Sequence, residues 1–155
     1  MLDLLDEFRA LVAALDAAGV EYAVCGGLAV AIHAHPRATL DVDLLLPAEQ
    51  IERAREVARG LGYLLDAGRL VIRSGVIEVV RLSKPDPETG DLLPLDLLVV
   101  TPALAAAWAT RERVSWSHGT LPVVSRAGLV AMKQLRRSGQ DLDDIRALED
   151  GDGAS

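Results

Sequence analysis

Three aspartates stand where aspartate is expensive. Asp41 and Asp43 lie in the apolar run Leu40-Asp41-Val42-Asp43-Leu44-Leu45-Leu46, and Asp96 lies in Leu95-Asp96-Leu97-Leu98-Val99-Val100. Both runs read as strands. A strand alternates faces with a period of two, so Asp41 and Asp43 project from the same face. Burying a bare carboxylate costs several kcal/mol, and two close together repel each other further. A divalent cation on the shared face resolves both problems, and hard oxygen ligands without His or Cys point to Mg²⁺ or Mn²⁺ rather than zinc. Asp-x-Asp alone is weak: with 14 aspartates it occurs three times, at 41/43, 141/143 and 150/152, and only the first lies in an apolar strand. The combination is more specific. A strand runs into Gly26-Gly27 at a helix start, Asp41-Val42-Asp43 follows in a second strand, and a single acid, Asp96, follows in a later one.

Positioning such a set takes a folded domain, and the chain has the means for one. Its 155 residues fit one domain, taken as 1–150 with a frayed tail at 151–155. Half of the residues are hydrophobic and 25% are charged, a globular balance that needs no disulfide or structural metal. The net charge of −7 argues against a protein that coats nucleic acid, though not against a local basic groove. Cys25, the single cysteine, excludes an internal disulfide and a thiolate zinc cluster. The longest uncharged run, Tyr22 to Pro36, falls short of the roughly 20 residues of a membrane span. The acidic N-terminus is unlike a secretory signal. The expectation is a soluble, cytoplasmic protein with no membrane partner.

Periodicity then places the elements. A helix is expected from 3 to about 18, with Leu4, Leu5, Phe8, Leu11, Val12 and Leu15 at three-four spacing and Gly19 as the stop. Glu21 to Cys25 reads as a strand, Leu28 to Ala34 as a short helix, Leu40 to Leu46 as a strand and 48–61 as an amphipathic helix. Three strand-like stretches follow at 63–66, 69–73 and 76–82, then a loop at 83–91 and a strand at 92–100. A short helix after Pro102, a hairpin over 113–124 with Pro122 marking an edge strand, a helix over 126–137 capped by Ser125, and a last helix capped by Asp141 complete the order. The class is α/β (α+β).

The pattern Cys25-Gly26-Gly27, Leu40-Asp41-Val42-Asp43-Leu44 and Leu95-Asp96-Leu97 resembles the signature of the DNA polymerase β-like nucleotidyltransferase superfamily over residues 21–100. The stretch Arg37-Ala38-Thr39-Leu40-Asp41-Val42-Asp43, with Met132-Lys133-Gln134-Leu135-Arg136 and Asp141-Leu142-Asp143-Asp144-Ile145, is similar to small bacterial members grouped with the AbiE-type (AbiEii-like) toxin nucleotidyltransferases. The resemblance implies a short mixed sheet with helices mainly on one face. It implies an Mg²⁺-dependent enzyme moving an NMP from an NTP to a hydroxyl acceptor: a tRNA or other RNA end, a partner protein or a small molecule. Asp41 and Asp43 would hold two metals bridging the phosphates, with Asp96 completing the nucleophile-side metal. Backbone N–H groups at Gly26, Gly27 and the helix start would face the triphosphate. Many members carry Ser where this chain has Gly27, which keeps the cradle and drops a hydroxyl contact. The alternative is a non-catalytic module of the same fold, binding a nucleotide or serving as an antitoxin or interaction protein. A homodimer mate and an antitoxin partner are both open.

Other residues carry two readings each. Arg37 contacts phosphate or braces Asp41, or is a solvated loop arginine; Thr39 belongs to the nucleotide site or is a plain β-former. Lys133 reaches a phosphate or the base by resemblance, or is a solvated helix lysine. Asp141 and Asp144 read as capping residues, Arg136 and Arg137 as an exposed helix end, and Cys25 as inert core. His33 and His35, two apart, do not share a helix face and make no paired metal site.

Overall fold

The computed structural model describes residues 2–33, 41–72, 75–117 and 119–136. The first helix, α1 (Leu4–Ala17), begins where the Asp3 carboxylate accepts a hydrogen bond from the Asp6 N–H at 3.0 Å, satisfying a donor that every helix start leaves over. Phe8, Leu11, Val12 and Leu15, the repeat legible in the sequence, form its buried stripe. β1 (Ala23–Cys25) passes directly into α2 (Gly26–His33), so this helix opens on the glycine pair rather than at Leu28. β2 is Val42–Leu46, and a 3-10 turn at Ala48–Gln50 leads into α3 (Ile51–Gly60).

The stretch from 63 to 82 differs from the three short strands expected. Leu65–Ile72 is one strand, β3, with a register shift between Asp66 and Gly68, and β4 (Ile77–Pro85) runs into the stretch expected to be loop. The bulge breaks the two-residue alternation, which makes one strand read as two. β5 (Leu92–Val99) is followed by a 3-10 turn at Pro102–Leu104, α4 (Ala105–Ala109), β6 (Glu112–Trp116), β7 (Gly119–Val123) and α5 (Arg126–Arg136). Ser125 caps α5 as expected, its hydroxyl accepting from the Gly128 N–H at 3.1 Å.

The seven strands form one mixed sheet in the order β3-β4-β5-β2-β1-β7-β6, with β2–β5 and β1–β7 parallel and the other pairs antiparallel. This is the mixed α/β (α+β) architecture expected. Pro122 is not on the edge strand: β7 lies inside the sheet and β6 is its edge. The three-residue β1 registers with β7 only at Val24↔Val123, so a residue without an N–H is tolerated one step along.

Alternation divides the sheet into two faces. Val80 and Leu82 of β4 and Leu95 and Leu97 of β5 are fully buried on one. Lys84 belongs to the same alternation and donates to Glu7 of α1 at 2.8 Å, which places α1 over that face, with α3 packed against it. The opposite face carries Arg81, Asp96 and Asp43, and α5 meets it. Among the described residues, no helix is long and apolar enough to cross a membrane.

Candidate active site

The site is one row of the sheet. Cys25 is in register with Asp43 across β1–β2, Asp43 with Asp96 across β2–β5, Asp96 with Arg81 across β4–β5, and Arg81 with Gly68 across β3–β4. The register is held by what lies between. Val42, Leu44 and Leu46 on β2 and Leu95 and Leu97 on β5 are buried on the opposite pleat, and a slip of one residue would drive them out and the aspartates in. Asp41 immediately precedes β2 rather than lying within it, yet it joins the group. Carboxylate oxygens of Asp41, Asp43 and Asp96 lie within 4.8 Å of one another, with Asp96 buried and the other two half-buried.

Gly26 brings the chain against this group. Its φ of 67° is left-handed, and a Cβ built on it would stand 2.7 Å from both Cβ and Cγ of Asp43 and closer still to Oδ2. Only glycine meets both conditions. α2 therefore opens beside the Asp43 carboxylate, with Gly27 buried in its first turn, and the N–H groups that a first turn leaves without helical partners lie at the site.

Arg81 is the residue that sequence reasoning missed. Its Nε donates to Asp96 Oδ1 at 2.7 Å and its Nη2 to Oδ2 at 2.8 Å, a two-pronged charge-assisted pair. The hydrogen bonds and charge of Asp96 hold the guanidinium protonated well above its ordinary range; partial burial opposes this, and Asp41 and Asp43 add to it. The only local signal was a charge within the strand-like stretch 76–82.

Lys133, expected from resemblance, is buried on α5 and lines a cavity of about 30 Å³ together with Gly26 and Asp43. The remaining walls are apolar, with Ile77, Leu98, Leu129 and Met132 among them. Cys25 is buried and lines the same cavity. His33 anchors α2 instead: its Nε2 is 2.9 Å from the Val124 carbonyl, and its own carbonyl accepts from Arg126. Arg136 ends α5. Arg37, Thr39, His35, Arg137, Asp141 and Asp144 lie outside the described residues.

The three carboxylates suit a hard divalent cation. Their oxygens, within 4.8 Å of one another, form the all-oxygen donor set that Mg²⁺ or Mn²⁺ prefers.

No protein-family model matches the sequence, and no curated protein matches it either. Solved structures do match. The chain is similar to the lincosamide antibiotic adenylyltransferase LnuA, solved with lincomycin bound, at 16% identity and TM-score 0.59, over 93% of this chain and 95% of that one. It is similar to a Thermotoga maritima protein proposed to be a nucleotidyltransferase, at 15% identity and TM-score 0.62, over 92% and 89% of the two chains. It is also similar to ANT(2'')-Ia, solved with adenylyl-2''-tobramycin, at 12% identity and TM-score 0.59, over 91% and 84%. At these identities the likeness shows the fold, a nucleotidyltransferase fold.

Proposed function

We propose that this chain is a divalent-metal-dependent nucleotidyltransferase that moves an NMP from an NTP to a hydroxyl acceptor. The observation that carries the reading is the grouping of Asp41, Asp43 and Asp96 within 4.8 Å, beside the glycine turn that opens α2. Asp41 and Asp43 would hold metal ions for the phosphates, and Asp96 would complete the site on the acceptor side. When bound, these ions lower the pKa of the acceptor hydroxyl and neutralise charge on the α-phosphate and the leaving pyrophosphate. Gly26 and Gly27 present backbone N–H groups to the triphosphate, and Lys133 supplies a cation from α5. Arg37 and Thr39 extend the nucleotide contacts on the chain leading into Asp41.

For the acceptor, a small hydroxylated molecule comes first. Two of the similar structures, LnuA and ANT(2'')-Ia, were solved with an antibiotic or its adenylyl derivative, and this chain spans most of the length of both. An RNA or tRNA end and a partner protein are the other acceptors, in keeping with the AbiE-type motifs and a toxin–antitoxin or phage-defence role in the cytoplasm.

The test is transfer of label from each of the four NTPs, with Mg²⁺ or Mn²⁺, to total RNA, to cell extract and to a panel of hydroxylated antibiotics. The expected result is one labelled acceptor class, lost in Asp41→Asn with Asp43→Asn. Nucleotide binding without transfer would identify a non-catalytic module, and no thermal shift with any NTP would refute both.

A further inference from the structure

We infer that Arg81 is the resident counter-ion of Asp96 and a gate on the metal that Asp96 binds. This rests on the metal-dependent reading above. Asp96 presents both carboxylate oxygens to the Arg81 fork, at 2.7 and 2.8 Å, while the same carboxylate must face the cation shared with Asp41 and Asp43. Each oxygen keeps a second lone pair. A divalent ion placed there would nevertheless lie within a few ångströms of a fixed positive charge, so the two cations compete for one carboxylate.

The two partners differ in freedom. The Asp96 side chain is 12% exposed and fixed in the middle of the sheet; that of Arg81 is 53% exposed. The next position in the row is Gly68, where a Cβ would find nothing within 4 Å. Arg81 therefore has open space toward the sheet edge, and it is the arginine that lets go. In the metal-free site its single charge offsets part of the repulsion among three grouped carboxylates. In the loaded site the metals take over that task and the fork is released.

The inference is tested by Mn²⁺ binding without nucleotide, measured by calorimetry and by the paramagnetic resonance of free Mn²⁺, in wild type, Arg81→Gln and Arg81→Lys. Removing the competing charge is expected to tighten Mn²⁺ binding about tenfold or more. Lysine keeps the charge without the fork and should fall between the other two. A role limited to holding Asp96 in place predicts the reverse, so equal or weaker binding in Arg81→Gln, with wild type binding, overturns the gate and leaves the metal-dependent reading standing. Failure of all three proteins to bind Mn²⁺ overturns both. Should Arg81→Gln fold poorly, the rise in melting temperature on adding Mn²⁺ is compared within each protein: a larger rise in the variant supports the gate, and an equal or smaller one refutes it.

Discussion

Gly26→Ala is the most searching single change to the site. A methyl group at this position meets Asp43 Cβ and Cγ at 2.7 Å, where carbon atoms rest at about 3.5–4.0 Å. Relief requires the Asp43 side chain, the α2 turn or both to move by about an ångström. Crowding of this kind costs about 1–3 kcal/mol. A left-handed φ in a residue with a Cβ adds about 1–2 kcal/mol, so the variant should lose about 2–5 kcal/mol in urea unfolding. Gly68→Ala separates the two costs. Its φ of 82° carries the same conformational penalty, but the space around its Cβ is open, so its loss should stay near about 1–2 kcal/mol. The excess in Gly26→Ala then measures the clash with Asp43. A shift of that size in a metal ligand should also weaken Mn²⁺ binding and reduce transfer by about 100-fold. The reasoning is refuted if Gly26→Ala unfolds within about 0.5 kcal/mol of Gly68→Ala and binds Mn²⁺ as wild type does.

Asp41→Asn with Asp43→Asn should abolish Mn²⁺ binding by calorimetry while the melting temperature in chelator is unchanged or higher, because like-charge repulsion is relieved. Lys133→Met keeps the length and burial of the side chain; it should raise the KM for the NTP about 10- to 100-fold, the worth of a hydrogen bond to a charged group, with the fold retained by circular dichroism. Acid should weaken the fold through two carboxylates outside the site. Asp86 is held below the usual carboxylate range by the N–H groups of Glu88 and Leu2, then of Thr89. Desolvation raises Asp66, but the Gly68 N–H and then Arg55 and Arg59 outweigh it and hold it low as well. A depressed folded value means that the stabilisation is complete above about pH 4, the ordinary unfolded value. It is lost as pH falls through the lower folded values. The urea midpoint should therefore drop between about pH 4 and pH 2, and less steeply in Asp66→Asn.

Much of this was legible in the chain because it is local. The stripe of α1, the strand carrying Asp43 and the cap at Ser125 each depend on residues within a few positions, where helical and strand periods apply. The bulge in β3 hid one strand as two, because an inserted residue reverses the alternation from which strands are read. Pro122 misled for another reason: its tolerance depends on how short the partner strand β1 is, and nothing near residue 122 records that. The glycine pair was recognised as a turn, but the turn's closeness to Asp43 belongs to the packed chain.

By itself the sequence determined which carboxylates were candidates, since an aspartate in an apolar strand needs a partner or a cation wherever the strand goes. It also determined that a glycine pair precedes them and that the donors on offer are carboxylate oxygens, the type a hard cation prefers. Only the tertiary structure decided that Asp43 and Asp96 share a register position, because parallel pairing of β2 with β5 is set by the buried leucines of both strands and not by the residues between them. It alone decided that Arg81, one of 14 arginines, closes on Asp96. Such a contact is fixed by strand order, β4 next to β5 next to β2, and strand order results from how the whole apolar surface is buried.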